Sequence, residues 1–384
     1  MPMDPLRASD VRQHNLNIVL SSIYHKKKEG MSQSQLVSET GLRAPTIFRI
    51  FQALEEQGLI IPAGGEASTE VKKGRKPVSY MVNPTSRYIF AVEFWTGCLS
   101  IGLFDFLGER VVQNTTSLDE GINANEIVNL IAGQIKQIIQ EQNISKEKVI
   151  GIGVAAPGQV DVRNRIVVFY PRINGMKDYH LAEILEEKLA IPVLLQNNCS
   201  ALAYGEYHYG GFNHGNSMFT FLLRRGVNGA LVTEKGIYKT TQGMTLETGH
   251  IPINFDGPLC ACSGHGCLQA YIMSLDKQGS SHELFSDLDD KLSRKDKETT
   301  EALDEAANYL YFAMKCISSF FAPASYLLVC SSAKVSEYLA ETISVLQKDE
   351  HSLFIKKPNV FATYYQMLFT EKGAVDLVVN NYLS

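Results

Sequence analysis

One histidine and three cysteines lie within 18 residues: His250, then Cys260, Cys262 and Cys267. Thiolates and imidazole at such short spacing suit a closed, tetrahedral, structural Zn²⁺ site, which would staple a loop region to the core around it. The chain has 7 cysteines, an odd number, with Cys98, Cys199, Cys316 and Cys330 scattered elsewhere. That distribution does not suit a disulfide framework and fits metal ligation in a reducing compartment. Buried free cysteines are the competing explanation. His265 is a rival nitrogen ligand, but it sits inside the Cys262–Cys267 loop; His250 leaves that loop free to turn on Gly264 and Gly266.

A chain of 384 residues exceeds one ordinary core, so two or three domains are expected. No apolar run is long enough to span a bilayer, and no secretory leader is visible at MPMDPLRASD, so a cytoplasmic location without membrane insertion is expected. The net charge of −5 argues against general affinity for nucleic acid, yet it is unevenly spread. Residues 1–80 hold 11 bases and 8 acids, or +3, which leaves −8 for the remainder. A small part that meets a polyanion would show this asymmetry.

The N-terminal pattern identifies that part. Residues 11–26 repeat apolar side chains at helical spacing, Ser32 is an N-cap for the next helix, and Gly41 ends it. Pro45 fits the first turn of a second helix whose apolar face is Ile47, Ile50, Phe51 and Leu54. Helix, short turn and helix predict a helix-turn-helix, with Arg43, Thr46 and Arg49 placed to reach base edges or phosphates. A three-helix protein-binding module is the bland alternative. Two short strands follow, around Leu59–Ile61 and Val78–Val82, separated by a basic, Gly-rich stretch. They predict a winged hairpin whose Lys73, Arg75 and Lys76, beside Lys72, contact DNA backbone or minor groove.

Beyond residue 88 the pattern becomes strands and amphipathic helices. Strands at 88–94, 99–105 and 110–116, with a similar strand-turn-strand at 218–223 and 230–234, suggest a duplicated α/β fold of the actin and hexokinase type.

The segment Glu247-Thr248-Gly249-His250 ahead of Cys260-Ala-Cys262-Ser-Gly-His-Gly-Cys267-Leu-Gln269 resembles the signature of the ROK family of repressors, open reading frames and kinases. The resemblance extends over essentially the whole chain, and the winged helix with Gly74-Arg75-Lys76-Pro77 resembles the repressor branch. It implies a winged helix-turn-helix over residues 1–83 and a two-lobed sugar-kinase-like, ribonuclease H-like duplicated body over 84–384. The lobes would be 84–199 plus the C-terminal helix, and 200–365. It also implies a sugar site lined by Asn197, Asn198, Glu247 and His250, with zinc held by His250, Cys260, Cys262 and Cys267.

Several kinase positions depart from the family pattern. Asn198 stands where the family's kinases place the catalytic Asp, and an amide is no base near neutral pH. Glu93-Phe94-Trp95-Thr96-Gly97 puts aromatics where a phosphate loop needs glycines, and Arg224-Arg225-Gly226-Val227-Asn228 keeps one glycine of the second loop. Ser331-Ser332 replaces a Gly-Gly pair; Ser263 and Gln269 depart within the zinc motif, and Met176 replaces a common Trp. Arg224 and Arg225 would meet an anionic group or a salt-bridge partner.

The expectation is a DNA-binding regulator of sugar genes, not an enzyme, that pairs as a dimer or tetramer on a double-stranded operator and senses a sugar or sugar phosphate. The alternatives are a sugar kinase with atypical ATP loops, and a repressor controlled by a sugar-transport protein.

Overall fold

The computed structural model describes residues 8–63, 78–119, 121–276, 283–349 and 357–384. The chain forms two compact units: Met1–Val154 with Ala182–Leu194 and Ala374–Ser384, and Ala155–Leu181 with Leu195–Gly373.

The first unit opens with three helices, α1 (Ala8–His25), α2 (Gln33–Thr40) and α3 (Ala44–Glu56), and a short antiparallel pair, β1 (Ile60–Pro62) and β2 (Tyr80–Val82). Local chemistry sets each boundary. The Ser32 hydroxyl oxygen accepts from the Gln35 backbone amide at α2's start, while the Gln35 side-chain Oε1 accepts from the Ser32 backbone amide at 2.8 Å, a reciprocal capping box. Gly41 ends α2 in the left-handed region, and Pro45 stands in the first turn of α3. Ile47, Ile50, Phe51 and Leu54 are buried, as the helical spacing predicts. Met31 and Tyr80 exchange two backbone hydrogen bonds of 2.8 Å. Gly30 must therefore be glycine: its φ is +65°, and a Cβ there would lie 2.5 Å from the Tyr80 carbonyl oxygen. The expected wing tip, with Lys73, Arg75 and Lys76, lies outside the described residues.

Next come β3 (Tyr88–Trp95), β4 (Cys98–Asp105), β5 (Arg110–Ser117), α4 (Ala124–Glu141) and β6 (Val149–Ala156). The chain then makes a small antiparallel sheet of the second unit from β7 (Gln159–Asp161), β8 (Ile166–Phe169) and β9 (Lys177–Tyr179). It continues through α5 (Leu181–Leu189) and β10 (Val193–Asn197), whose strand completes a five-stranded sheet of order β10-β6-β3-β4-β5.

The second unit continues with α6 (Asn198–Tyr209), β11 (Ser217–Leu223), β12 (Val227–Thr233), β13 (Gly236–Ile237), α7 (Leu268–Leu275), α8 (Asp289–Ser293), α9 (Lys297–Phe320), β14 (Ser325–Cys330), α10 (Ala333–Asp349) and β15 (Asn359–Tyr364). The last helix, α11 (Met367–Leu383), begins here and ends in the first unit. The second sheet has order β13-β12-β11-β14-β15, with β11 and β12 antiparallel and β11, β14 and β15 parallel. Counted along the chain within each sheet, both five-stranded sheets read 3-2-1-4-5. That shared order is the duplication the paired strand-turn-strand pattern predicts.

β12 starts at Val227, earlier than the strand expected at Ala230, because Leu223 and Val227 pair across a tight turn that carries Arg224, Arg225 and Gly226. Glu93, Phe94 and Trp95 are buried within β3, so they belong to the sheet and do not form an open phosphate loop.

Candidate nucleic-acid interface and metal centre

α3 presents its polar face to solvent. Arg43, its N-cap residue, and Arg49 are exposed and Thr46 is half-buried, while Phe48 and Gln52 are exposed on the same side. The acids of α3, Glu55 and Glu56, lie in its last turn. The helix therefore offers a basic and uncharged first two turns, the part that reaches base edges in a major groove.

In the second unit a turn carries Glu247 and His250 toward the cysteine loop. The Nδ1 of His250 lies 3.5 Å from the Sγ of Cys260, and the sulfurs of Cys262 and Cys267 are 3.7 Å apart. The ligand atoms of all four residues fall within 4.8 Å of one another. A tetrahedral ion with Zn–S near 2.3 Å and Zn–N near 2.0–2.1 Å separates its ligands by about 3.5–3.8 Å, which these distances match. The 3.7 Å separation also excludes a disulfide, whose sulfurs lie about 2.05 Å apart. His265 contacts the Gly257 carbonyl at 3.2 Å and stays outside the cluster.

Electrostatics favour the same occupant. Burial holds the His250 imidazole below its ordinary pKa, in the neutral form that ligates metal. The Gly264 amide lowers the Cys262 thiol, whereas burial and the neighbouring sulfurs raise Cys267 to about 12. Two or three thiolates at this separation need a cation to offset their repulsion. The donor set thus fits zinc.

Around this block lies a polar wall. Glu247 keeps exposed surface, yet protein packed about its carboxyl removes enough water to raise it to about 7. Burial and then the charge of Glu247 contribute to raising the Cys199 thiol to about 12, so Glu247 neighbours the start of α6. Asn198 begins that helix and its Oδ1 accepts from the Cys199 amide at 2.8 Å. The amide of Asn197 is committed at both ends: Nδ2 donates to the Gly158 carbonyl at 2.8 Å, and Oδ1 accepts from the Ser200 amide at 3.2 Å. Its chief structural work is therefore to cap α6, and one amide hydrogen is left for a ligand. Three further buried polar atoms lack a hydrogen-bond partner among the described residues: Gln196 Nε2, Thr245 Oγ1 and Thr248 Oγ1. Sequence reasoning passed over all three, because Thr and Gln carry no motif by themselves. Buried unsatisfied groups are uncommon, and sugar hydroxyls are well suited to pair with them.

Arg224 takes the salt-bridge option: its Nε donates to Glu283 Oε1 at 2.8 Å, and Ser331 Oγ donates to the second carboxylate oxygen at 2.7 Å. Gln269, which departs from the zinc motif's usual Glu, accepts from the Val227 amide at 3.1 Å and so ties α7 to the start of β12.

The ROK family pattern matches residues 107–362. The chain belongs to the ROK family. It is 27% identical over 332 residues to the xylose repressor of Bacillus spizizenii, covering 85% of this chain and 84% of that protein. To the DNA-binding transcriptional dual regulator NagC of Escherichia coli it is 24% identical over 239 residues, covering 62% of this chain and 58% of the relative. Among solved structures, a ROK family transcriptional regulator described as a homolog of the E. coli MLC protein superposes with TM-score 0.79 at 19% identity, covering 97% of this chain and 98% of the other. A ROK family glucokinase from Streptomyces griseus reaches TM-score 0.62 at 20% identity over 76% of this chain and 98% of its own. The regulator thus shares the fold of nearly the whole chain, and the kinase shares about three quarters of it. Among the described residues no helix is long and apolar enough to cross a membrane.

Proposed function

We propose that this chain is a sugar-responsive transcriptional repressor: residues 1–83 bind an operator, and the ROK body senses a sugar or sugar phosphate without phosphorylating it. The observation that carries the reading is Asn198. At the position resembling the kinase base there is an amide, and its oxygen already accepts from the Cys199 nitrogen at 2.8 Å in the first turn of α6. Neither property serves proton abstraction. The xylose repressors among its relatives support the regulatory half, and make xylose the first sugar to test.

In this reading Arg43, Thr46 and Arg49 enter the major groove, and Lys73, Arg75 and Lys76 reach the backbone or minor groove. Glu247, His250, Asn198 and the remaining amide hydrogen of Asn197 hold sugar hydroxyls by directional hydrogen bonds. His250, Cys260, Cys262 and Cys267 hold zinc, which would fix the loop and orient the imidazole ring. A symmetric homo-oligomer presents two DNA heads to a two-fold operator, and sugar binding shifts the population between DNA-competent and released states.

Fluorescence anisotropy with duplexes selected from a random library tests this. Salt-sensitive, sequence-selective binding that weakens at least tenfold on adding one sugar is expected. Absence of selective binding, or ATP-dependent phosphorylation of a sugar, overturns the proposal.

A further inference from the structure

The side chain at the centre of α3's exposed face is aromatic. Phe48 retains 52% of its surface, while Ile47, Ile50, Phe51 and Leu54 on the opposite face are buried and complete the core of the helix. Single exposed apolar residues are common, so exposure alone decides nothing. Its surroundings do. Pro45, Phe48, Arg49 and Gln52 follow i, i+3, i+4, i+7 spacing and share one stripe, and all four are exposed. Arg43 precedes that stripe, and the helix's two acids begin two turns beyond Phe48. An aromatic ring framed by Arg and Gln is chemically matched to a major groove. Arg and Gln read guanine and adenine edges, and an apolar ring reads the one apolar feature there, the thymine C5-methyl group. The basic flanks attract the phosphates on either side of the groove.

We propose that Phe48 is a base-reading residue, whose ring packs on a thymine methyl and fixes thymine at one position of each half-site. The inference rests on the DNA-binding reading above and adds a specificity determinant to it. Burying one methyl group against an apolar ring is expected to change affinity about fourfold.

The test uses the full-length chain and a duplex selected with it from a random library. Each thymine is replaced in turn by uracil, which removes the methyl and leaves base pairing intact. Wild type is expected to lose about fourfold at one thymine per half-site. Phe48→Ala should bind the original duplex more weakly and be indifferent to that same replacement, and Phe48→Leu should recover part of both effects. Melting temperatures close to wild type check that the variants fold, as expected for a side chain the core does not use. The proposal is overturned if wild type ignores every replacement, or if Phe48→Ala keeps the full penalty. A Phe48→Ala chain that keeps the penalty but sediments as a smaller species assigns the ring to self-association instead. Failure to enrich any duplex removes the DNA-binding reading itself and this inference with it. Enrichment without a methyl effect removes only the role of Phe48.

Discussion

Arg224 and Glu283 lie 59 residues apart in sequence and join through a 2.8 Å ion pair, with the Arg224 guanidinium 3.8 Å above the Tyr365 ring. Burial pushes the Glu283 carboxyl up, but Arg224, Ser331 and Arg225 outweigh it and hold the group below its ordinary range. Glu283 thereby engages the Arg224 guanidinium on the turn that resembles a nucleotide loop, so that side chain is not free to meet a phosphate. The expected outcome is no measurable heat on titrating MgATP and no sugar phosphate formed in its presence. Glu283→Gln should destabilise the fold by about 1.5–3 kcal/mol, since it leaves a mostly buried Arg224 without its counter-charge. The sign of the pH effect follows from the lowered pKa. The pair's contribution is present above the unfolded pKa and is lost as pH falls through the folded value, so the gap between wild type and variant should close in acid. A gap that stays constant down to pH 3 would contradict this.

Zinc analysis provides the second prediction. The purified chain should carry about one zinc ion, and Cys260→Ser or Cys267→Ser should lose it. With free zinc held a hundredfold above its Kd, the ion stabilises the native state by about 2.7 kcal/mol, so a strong chelator should lower the melting temperature by roughly 5–10 °C. Cys262 is the exposed ligand and should be the first thiol to react once the ion is withdrawn. A chain that melts identically with and without chelator, and contains no metal, would remove the site.

Glu206 on α6 is 1% exposed, and burial raises its carboxyl from 4.5 to about 7. Its Oε1 has no partner among the described residues. Between pH 4.5 and about 7 the native state keeps a proton that the unfolded chain has released, so this residue makes stability fall as pH rises and level off above about 7. The full loss is on the order of 3 kcal/mol. Glu206→Gln should flatten that slope and raise the urea midpoint at pH 8. An unchanged slope in the variant would show that another group is responsible.

Much of this was legible because the determining interactions are local. Ser32 as an N-cap, Gly41 at a helix end, and the largely apolar, buried runs of β3 and β4 each act within a few residues, and such signals are written in consecutive letters. The metal quartet was legible for a similar reason, since its spacing is short, although only the loop geometry sends His265 to the Gly257 carbonyl and leaves His250 beside Cys260. What was not legible depends on distant partners. Nothing in Arg224 or Arg225 announces Glu283, and nothing in Asn197 says that its amide bonds Gly158 and Ser200 and keeps one hydrogen over. Gln196, Thr245 and Thr248 become notable only once burial leaves them without partners.

The least legible feature is the contact between α6 and α11, because glycine inside a helix reads as a weakness. A Cβ on Gly205 would approach the Phe369 carbonyl oxygen to 1.9 Å, and one on Gly373 would approach the Ala201 carbonyl oxygen to 2.0 Å. Ala201 and Gly205 are one turn apart on α6, as are Phe369 and Gly373 on α11, so each backbone rests in the gap its partner leaves. Propensity alone says that Gly373→Ala should stabilise the helix by about 0.8–1 kcal/mol. Overpacking against backbone that cannot move aside costs about 1–3 kcal/mol and should win, giving a net loss of stability. Gly133, on α4, is the control: it is exposed and a Cβ there meets nothing within 4 Å. Gly133→Ala should raise the urea midpoint while Gly373→Ala lowers it. If both substitutions raise it, the helices are not in the close contact described, and propensity governs both sites.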